Sequence, residues 1–310
     1  MSEPLGRAEC ILRAACGDRL RTDFPLAHLT SFRLGGPAAL YLEPRSDEDL
    51  AAVAEAVAAS DVPTVVLGKG SNVLVSDVGF PGLVLRLGRG YRWAARDGDR
   101  VTAGGSMPLP AVASVALRHG LAGLEFGVAI PATLGGAIRM NAGAHDRAMA
   151  DVVDEVRVFS LTSGSAGSLG ASEAGFVYRG SGLPEDVVVT GGTVRLSSGD
   201  RDEIRARMDE AREWRRRTQP IAEPNCGSVF TNPPGEHAAR LIDLAGAKGR
   251  RIGGAVVSPK HANFIVAEAG ATAADVFALI REVQRLVLEV SGVELDPEVR
   301  LIGAFDDSRR

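Results

Sequence analysis

Cysteine is scarce in this chain of 310 residues: Cys10, Cys16 and Cys226 are all it has. The number is odd and no CxxC spacing occurs, so neither a disulfide framework nor a cysteine zinc site is expected. No metal is expected at all, and the low cysteine usage fits a reducing, cytoplasmic compartment. A basic excess is also missing. Lys plus Arg is 35 against 39 Asp plus Glu, a formal charge of −4, so no nucleic acid and no anionic membrane is expected as partner. No apolar run reaches the ~18 residues of a membrane span. The first residues carry Glu3, Arg7 and Glu9 without the apolar core of a signal peptide. Internal repeats and low-complexity tracts are absent, which removes repeat architectures.

What is present is an ordinary globular composition, 45% hydrophobic, with length for two or three domains at roughly 100–200 residues each. Residues 1–30 read as a short helix and a linker. "AALYLEP" then reads as a strand. Residues 46–60 read as a helix with Leu50, Val53, Ala54 and Val57 on one face, and Ser46 and Asp49 stand at capping-box spacing. "PTVVLG" is a β-branched strand that runs into a glycine turn and a second apolar run, "NVLVSD". From Leu83 to Leu196 strand-like runs recur: "GLVLRL", "RVTAGG", "VDEVRVFSL" and "VVVTGGTVRL". A helix interrupts them, with Pro110 in its first turn and Gly120 past its end. Asp202 to about Arg217 reads as a charged helix bridging domains. A last α/β unit holds a long helix with Val276, Leu279, Ile280, Val283, Val287 and Val290 at helical spacing, Thr272 as N-cap and Gly292 at C′, followed by the strand "EVRLIG".

Two glycine-rich loops carry candidate chemistry. In "LGKGSNVLV", Gly68 and Gly70 follow a strand, with Lys69, Ser71 and Asn72 as further donors. The loop is neither a dinucleotide fingerprint, since Val73 stands where a third glycine belongs, nor a Walker loop. It suits an anion approached by backbone N–H groups, or a plain tight turn. "GVAIPATLGGAIRMNAGAH" is poor in side chains around Ile130, Pro131, Thr133, Gly135 and Gly136. It suits a flat ligand or a pyrophosphate, or close helix packing. Together the loops favour a large dinucleotide-like cofactor. A third stretch, "PNCGSVFTNP", places Ser228 after a glycine with no acid, base or histidine beside it. "NCGSVF" is not GxSxG, so a serine hydrolase is excluded.

The order of "LTSFRLGGPA", "LGKGSNVLV", "LEFGVAIPATLGGAIRMNAGAH", "YRGS", "NCGSVFTNP", "GGAVVSPKHANFIV" and "LDPEVRLIG" resembles the UDP-N-acetylenolpyruvoylglucosamine reductase family over about residues 26–303. The resemblance implies an α+β fold: a two-subdomain FAD-binding module of the vanillyl-alcohol-oxidase type (1–87 and 88–200) and a C-terminal α/β substrate domain (201–310) of the family's shorter type. It implies an oxidoreductase with non-covalent FAD and NADPH as hydride donor. The reaction would reduce the enolpyruvyl group of a UDP-sugar to UDP-N-acetylmuramate for peptidoglycan, in the cytoplasm, serving cell-wall biogenesis, cell shape and cell division.

The family's residues carry over position by position. Gly68–Asn72 and Ile130–Gly136 match its FAD-binding motifs. Arg179 matches the catalytic arginine, whose planar fork suits a carboxylate. Glu298 matches the catalytic glutamate, which should be protonated or share a proton. Ser228 matches a proton donor, which needs position rather than a base. Arg216, Asn232, Lys248 and His261 match substrate-binding positions; His261 is equally read as a loop cap. Thr231 departs from the family's usual lysine, and Ala267 and Glu268 stand where an asparagine is common. Two other readings are another FAD oxidoreductase of the same fold, and a non-enzymatic FAD or UDP-sugar sensor.

Overall fold

The computed structural model describes residues 3–306. By packing, the chain divides into two compact units, neither continuous in sequence. The first holds the chain up to Asp23, Ala39–Lys69 and Gly82–Glu213; the second holds Phe24–Ala38, Gly70–Pro81 and the chain from Trp214 onward.

In the first unit, α1 (Glu3–Cys16) and α2 (Asp47–Ser60) bury Leu12, Leu50 and Val53 against Leu40, Leu42, Leu83 and Leu85. These leucines lie in a sheet ordered Arg21–Pro25, Pro37–Leu42, Phe80–Leu85, Thr64–Val66, its last pair parallel. Ser46 caps α2 by accepting from the Asp49 amide at 3.4 Å. The reciprocal half of the box does not form, because the Asp49 carboxylate takes the Arg19 guanidinium and the Arg45 amide instead. The stretch expected as a linker contains a strand, Arg21–Pro25.

A second core in the same unit lies on a five-stranded antiparallel sheet. Its order is Ser165–Gly170, Val153–Ser160, Val187–Arg195, Arg100–Gly104, Ala94–Asp97. The outer strands were not legible as strands: "SAGSLG" and "AARD" are small or polar and largely exposed, so the ladder makes them and no apolar alternation marks them. Three helices cover this core: α3 (Leu109–Arg118), α4 (Leu134–Arg139) and α5 (Arg201–Thr218), burying Leu109, Val112, Ile138, Ile204 and Met208.

The second unit contains α6 (Ala238–Leu244), α7 (Ala273–Ser291) and a three-stranded antiparallel sheet, Arg251–Ile252, Ala255–Val257 and Ile265–Ala267. A parallel pair, Val73–Val75 with Arg300–Ile302, joins distant parts of the chain. Leu74, Phe32, Val229 and Phe230 share one core with Val276, Leu279, Ile280, Val283 and Val287 of α7. Thr272 and Asp275 form the full capping box on α7. The Asp77 carboxylate adds acceptors for the amides of Ala273 (2.8 Å) and Ala274 (2.9 Å). Val290, expected on the apolar face, is 60% exposed, because the last turn of α7 runs past the core.

Candidate active site

Gly68, from the first glycine loop, meets the second glycine loop within the first unit. A Cβ on Gly68 would lie 2.9 Å from Thr133 Oγ1 and 4.0 Å from the Gly136 Cα. The second loop is not wholly irregular. Thr133 caps α4, accepting from the Gly136 amide at 3.2 Å, and burial of Leu134, Ala137 and Ile138 overrides the low helix propensity of two glycines.

The adjacent glycines do different things. A Cβ on Gly135 would fall 2.8 Å from the Val189 carbonyl oxygen and 3.1 Å from that of Gly105, so this glycine is demanded by packing. A Cβ on Gly136 would meet Thr133 Oγ1 at 3.3 Å and nothing else within 4 Å. The amides of Leu134, Gly135 and Gly136 already donate to Met107, Gly105 and Thr133. What this loop offers a ligand is therefore a surface without side chains. The first loop is complementary: among the described residues, the main-chain N–H groups from Gly68 through Asn72 donate to no protein acceptor. Gly70 is left-handed at φ +69, and a Cβ there would meet the Leu29 carbonyl at 2.0 Å. Within the first unit, the unspent donors of Gly68 and Lys69 and the bare glycine surface fit a large anionic, flat cofactor such as FAD. Lys69 is exposed, Ser71 half-buried, and the Asn72 side chain donates to the Glu298 carbonyl at 3.0 Å. Ile130 and Pro131 line the approach to α4 with partial or full exposure.

Arg179 occupies a strained position. It has φ +58 in a tight turn closed by mutual hydrogen bonds of Val177 and Gly180. A non-glycine residue in that region costs about 1–3 kcal/mol, and such strain concentrates at functional sites. The turn is held from outside itself. Buried Asn141 donates from Nδ2 to the Val177 carbonyl at 2.8 Å, and Arg179 Nη1 donates to the Gly143 carbonyl at 2.9 Å. Ser181 Oγ donates to the Arg139 carbonyl, and Arg139 donates to the carbonyls of Leu183, Pro184 and Val187.

Ser228 and Glu298 are brought together inside the second unit. The Glu298 amide donates to the Val229 carbonyl at 2.7 Å, and the Thr231 amide to the Asp296 carbonyl at 2.9 Å. Phe230 and Pro297 form the bridge between them. Ser228 thus stands one residue from the point where Glu298 crosses. Both side chains are half-buried. Cys226 beside them is buried, and burial pushes its thiol pKa up, so it stays protonated and unreactive. Thr231 also bonds Asp296 through its hydroxyl.

The remaining candidates, all in the second unit, divide by what they touch. The His261 pKa is lowered, first by burial and then by Lys248, so the ring is neutral at pH 7. Its Nδ1 accepts from the Asn263 amide at 3.3 Å, leaving the proton on Nε2 as a donor. Lys248 is exposed and pairs with Asp243 at 2.9 Å. Arg216 is exposed, with its carbonyl taken by Lys260 Nζ. Asn232 accepts from the Ala238 amide at 3.0 Å, which gives it a role in starting α6. The buried asparagines Asn141 and Asn263 escape a reading of the sequence. Their signal is weak: one polar residue inside an apolar run, as in "ANFIV".

A bare glycine surface and unspent backbone donors fit a flavin, and a family described as "FAD binding domain" matches residues 38–169, which makes the chain a flavin-binding protein by class. The description "UDP-N-acetylenolpyruvoylglucosamine reductase, C-terminal domain" matches residues 219–302. The UDP-N-acetylenolpyruvoylglucosamine reductase of Anaeromyxobacter dehalogenans (strain 2CP-C) is 46% identical over 295 residues, covering 95% of this chain and 89% of that one. That of Heliobacterium modesticaldum is 46% identical over 281 residues, covering 90% of this chain and 89% of that one. The crystal structure of the Thermus caldophilus enzyme aligns with TM-score 0.80 at 36% identity, covering 92% of this chain and 98% of that one. The chain belongs to the UDP-N-acetylenolpyruvoylglucosamine reductase family and is an FAD-dependent oxidoreductase. No helix among the described residues is long and apolar enough to cross a membrane.

Proposed function

We propose that this protein uses NADPH to reduce the enolpyruvyl group of UDP-N-acetylglucosamine enolpyruvate, forming UDP-N-acetylmuramate for peptidoglycan in the cytoplasm. The observation that supports the reading is the main-chain register that places Ser228 one residue from the crossing of Glu298. The division into 1–87 and 88–200 for FAD and 201–310 for the sugar nucleotide belongs to the same proposal.

FAD held there and reduced by NADPH would supply the hydride that adds to the β carbon of the enol ether. The chain's residues answer what that addition creates. Negative charge develops on the substrate's carboxylate, and Arg179 holds it through a planar fork that a lysine does not reproduce. Glu298 in its neutral form donates to the same developing enolate. Ser228 then gives its hydroxyl proton to the α carbon and recovers one from solvent. Gly68, Lys69, Gly70, Ser71, Asn72, Ile130, Pro131, Thr133, Gly135 and Gly136 form the cofactor's surroundings. Arg216, Asn232, Lys248 and neutral His261 serve the sugar nucleotide, with His261 as an N–H donor.

The test is stopped-flow absorbance of the two half-reactions in Ser228→Ala. Flavin reduction by NADPH stays near the parent rate. Reoxidation by the enolpyruvyl sugar falls about 10²–10⁴-fold. A variant slowed only in the NADPH step, or intact in both, overturns the assignment.

A further inference from the structure

The segment that carries Ser228 lacks a full strand on one side, and a single side chain stands in for it. Along one edge, Val229 and Thr231 pair with Glu298 and Asp296 main chain. Along the other, Asn225 bridges Val266 and the Ala267 amide donates to the Pro224 carbonyl, so the segment starts beside the strand Ile265–Ala267. That strand does not continue: the Phe264 amide turns back to the His261 carbonyl at 3.0 Å, and the Asn263 amide goes to His261 Nδ1. Ordinary ladder bonding past Asn263 is therefore spent. The Asn263 side chain supplies what is missing. Its Oδ1 accepts from the Phe230 amide at 2.9 Å, and its Nδ2 donates to the Phe230 carbonyl at 2.8 Å. Its main-chain carbonyl accepts from the Val229 amide at 2.9 Å. Three bonds from one residue lock the two residues that follow Ser228.

Both partners are out of water. Asn263 is 4% exposed and Phe230 2%, so neither Phe230 group finds a substitute partner if the amide is lost. A carboxylate in place of the amide keeps the acceptor but sets negative charge against the Phe230 carbonyl.

We infer that Asn263 is a positioning residue: its side-chain amide completes the strand that aims the Ser228 hydroxyl, while its main-chain N–H, donating to His261 Nδ1, fixes the tautomer of the neighbouring ring. The inference rests on the reading of Ser228 as proton donor.

The test compares Asn263→Asp, Ser228→Ala and the double variant as intact flavoproteins, by stopped-flow absorbance with NADPH and then with the enolpyruvyl UDP-sugar. Misplacement of a reacting group by about an ångström costs on the order of 10²-fold. In Asn263→Asp at pH 8, flavin reduction is within about twofold of the parent and reoxidation falls roughly 10–100-fold. Reoxidation recovers as pH falls and the carboxyl protonates, because its hydroxyl then donates to the Phe230 carbonyl as the amide did. The parent shows no such recovery. The double variant is no slower in reoxidation than Ser228→Ala, since both changes act through one hydroxyl. If Asn263→Asp does not hold FAD, Asn263→Ser, which keeps the main-chain bond to Val229, is read the same way. Equal losses in both half-reactions, or additive losses in the double variant, overturn the inference while the Ser228 reading stands. An unimpaired Ser228→Ala removes both.

Discussion

The same methyl group placed on two successive glycines separates packing from cofactor approach. At Gly135 the new carbon meets two main-chain carbonyl oxygens at 2.8 and 3.1 Å, one of them the acceptor for this residue's own amide. Backbone oxygens cannot swing aside, so the change behaves as overpacking at about 1–3 kcal/mol. Each kcal/mol moves Tm by roughly 2–4 °C in a unit of this size, so Gly135→Ala melts roughly 2–12 °C lower. At Gly136 the new carbon meets only Thr133 Oγ1 at 3.3 Å, and φ is not left-handed. Alanine here regains about 0.5–1 kcal/mol of helix propensity, so the protein melts at or slightly above the parent. The methyl does project from the surface offered to FAD. An intrusion of about 1–3 kcal/mol weakens FAD binding roughly 5–150-fold. The assay is thermal melting of the flavin-stripped protein, where bound cofactor adds nothing, paired with fluorescence titration by FAD. A Gly136→Ala protein that melts lower than Gly135→Ala, or binds FAD like the parent, refutes the division of labour.

Further outcomes follow from single contacts. Arg179→Lys keeps charge but loses the planar fork, so turnover falls about 10²-fold while NADPH reduction of the flavin continues; a variant with parental turnover sinks the clamp. Asp77→Ala removes both carboxylate acceptors at the start of α7 and costs about 1–2 kcal/mol in urea unfolding, with Asp77→Asn costing less; equal stability in both variants contradicts the cap. The Arg19 guanidinium holds the Asp49 pKa below its ordinary value. A lowered carboxyl pKa gives stability that is present above the unfolded value and lost as pH falls through the folded one. Arg19→Ala therefore loses about 1 kcal/mol at pH 7, and the gap to the parent closes below pH ~4. A gap that widens in acid reverses the sign and the argument.

Much of the fold is legible because caps and periodicity act locally. Ser46, Thr272 and Gly292 start or stop helices by rules that need no tertiary context, and the buried faces of α2 and α7 follow from spacing. Where legibility fails, the cause lies outside the local chain. Ser165–Gly170 is a strand because Val153–Ser160 pairs with it. Residues 134–139 form a helix despite two glycines because Thr133 caps it and the core takes Leu134 and Ile138. The positions proposed as catalytic are legible as motifs, but the asparagines bonded to the backbone beside them are not. Asn141 and Asn263 bond to main chain across 36 and 33 residues, and no period or neighbour in the sequence records such a bond.

The threading of Gly70–Pro81 into the second unit bears on how the protein is made. Val73–Val75 needs Arg300–Ile302 as its parallel neighbour, and Ser76 donates to the Ala304 carbonyl across 228 residues. During synthesis at about 5–20 residues per second, the early segment leaves the ribosome roughly 10–50 s before its partner exists. For that interval an apolar strand edge is unpaired, and Leu74 and Phe32 have no core to enter. That pairing in the unit that holds Ser228 and Glu298 can form only after residues 300–304 are made, and a nascent-chain chaperone that covers the waiting edge would raise the yield of active enzyme.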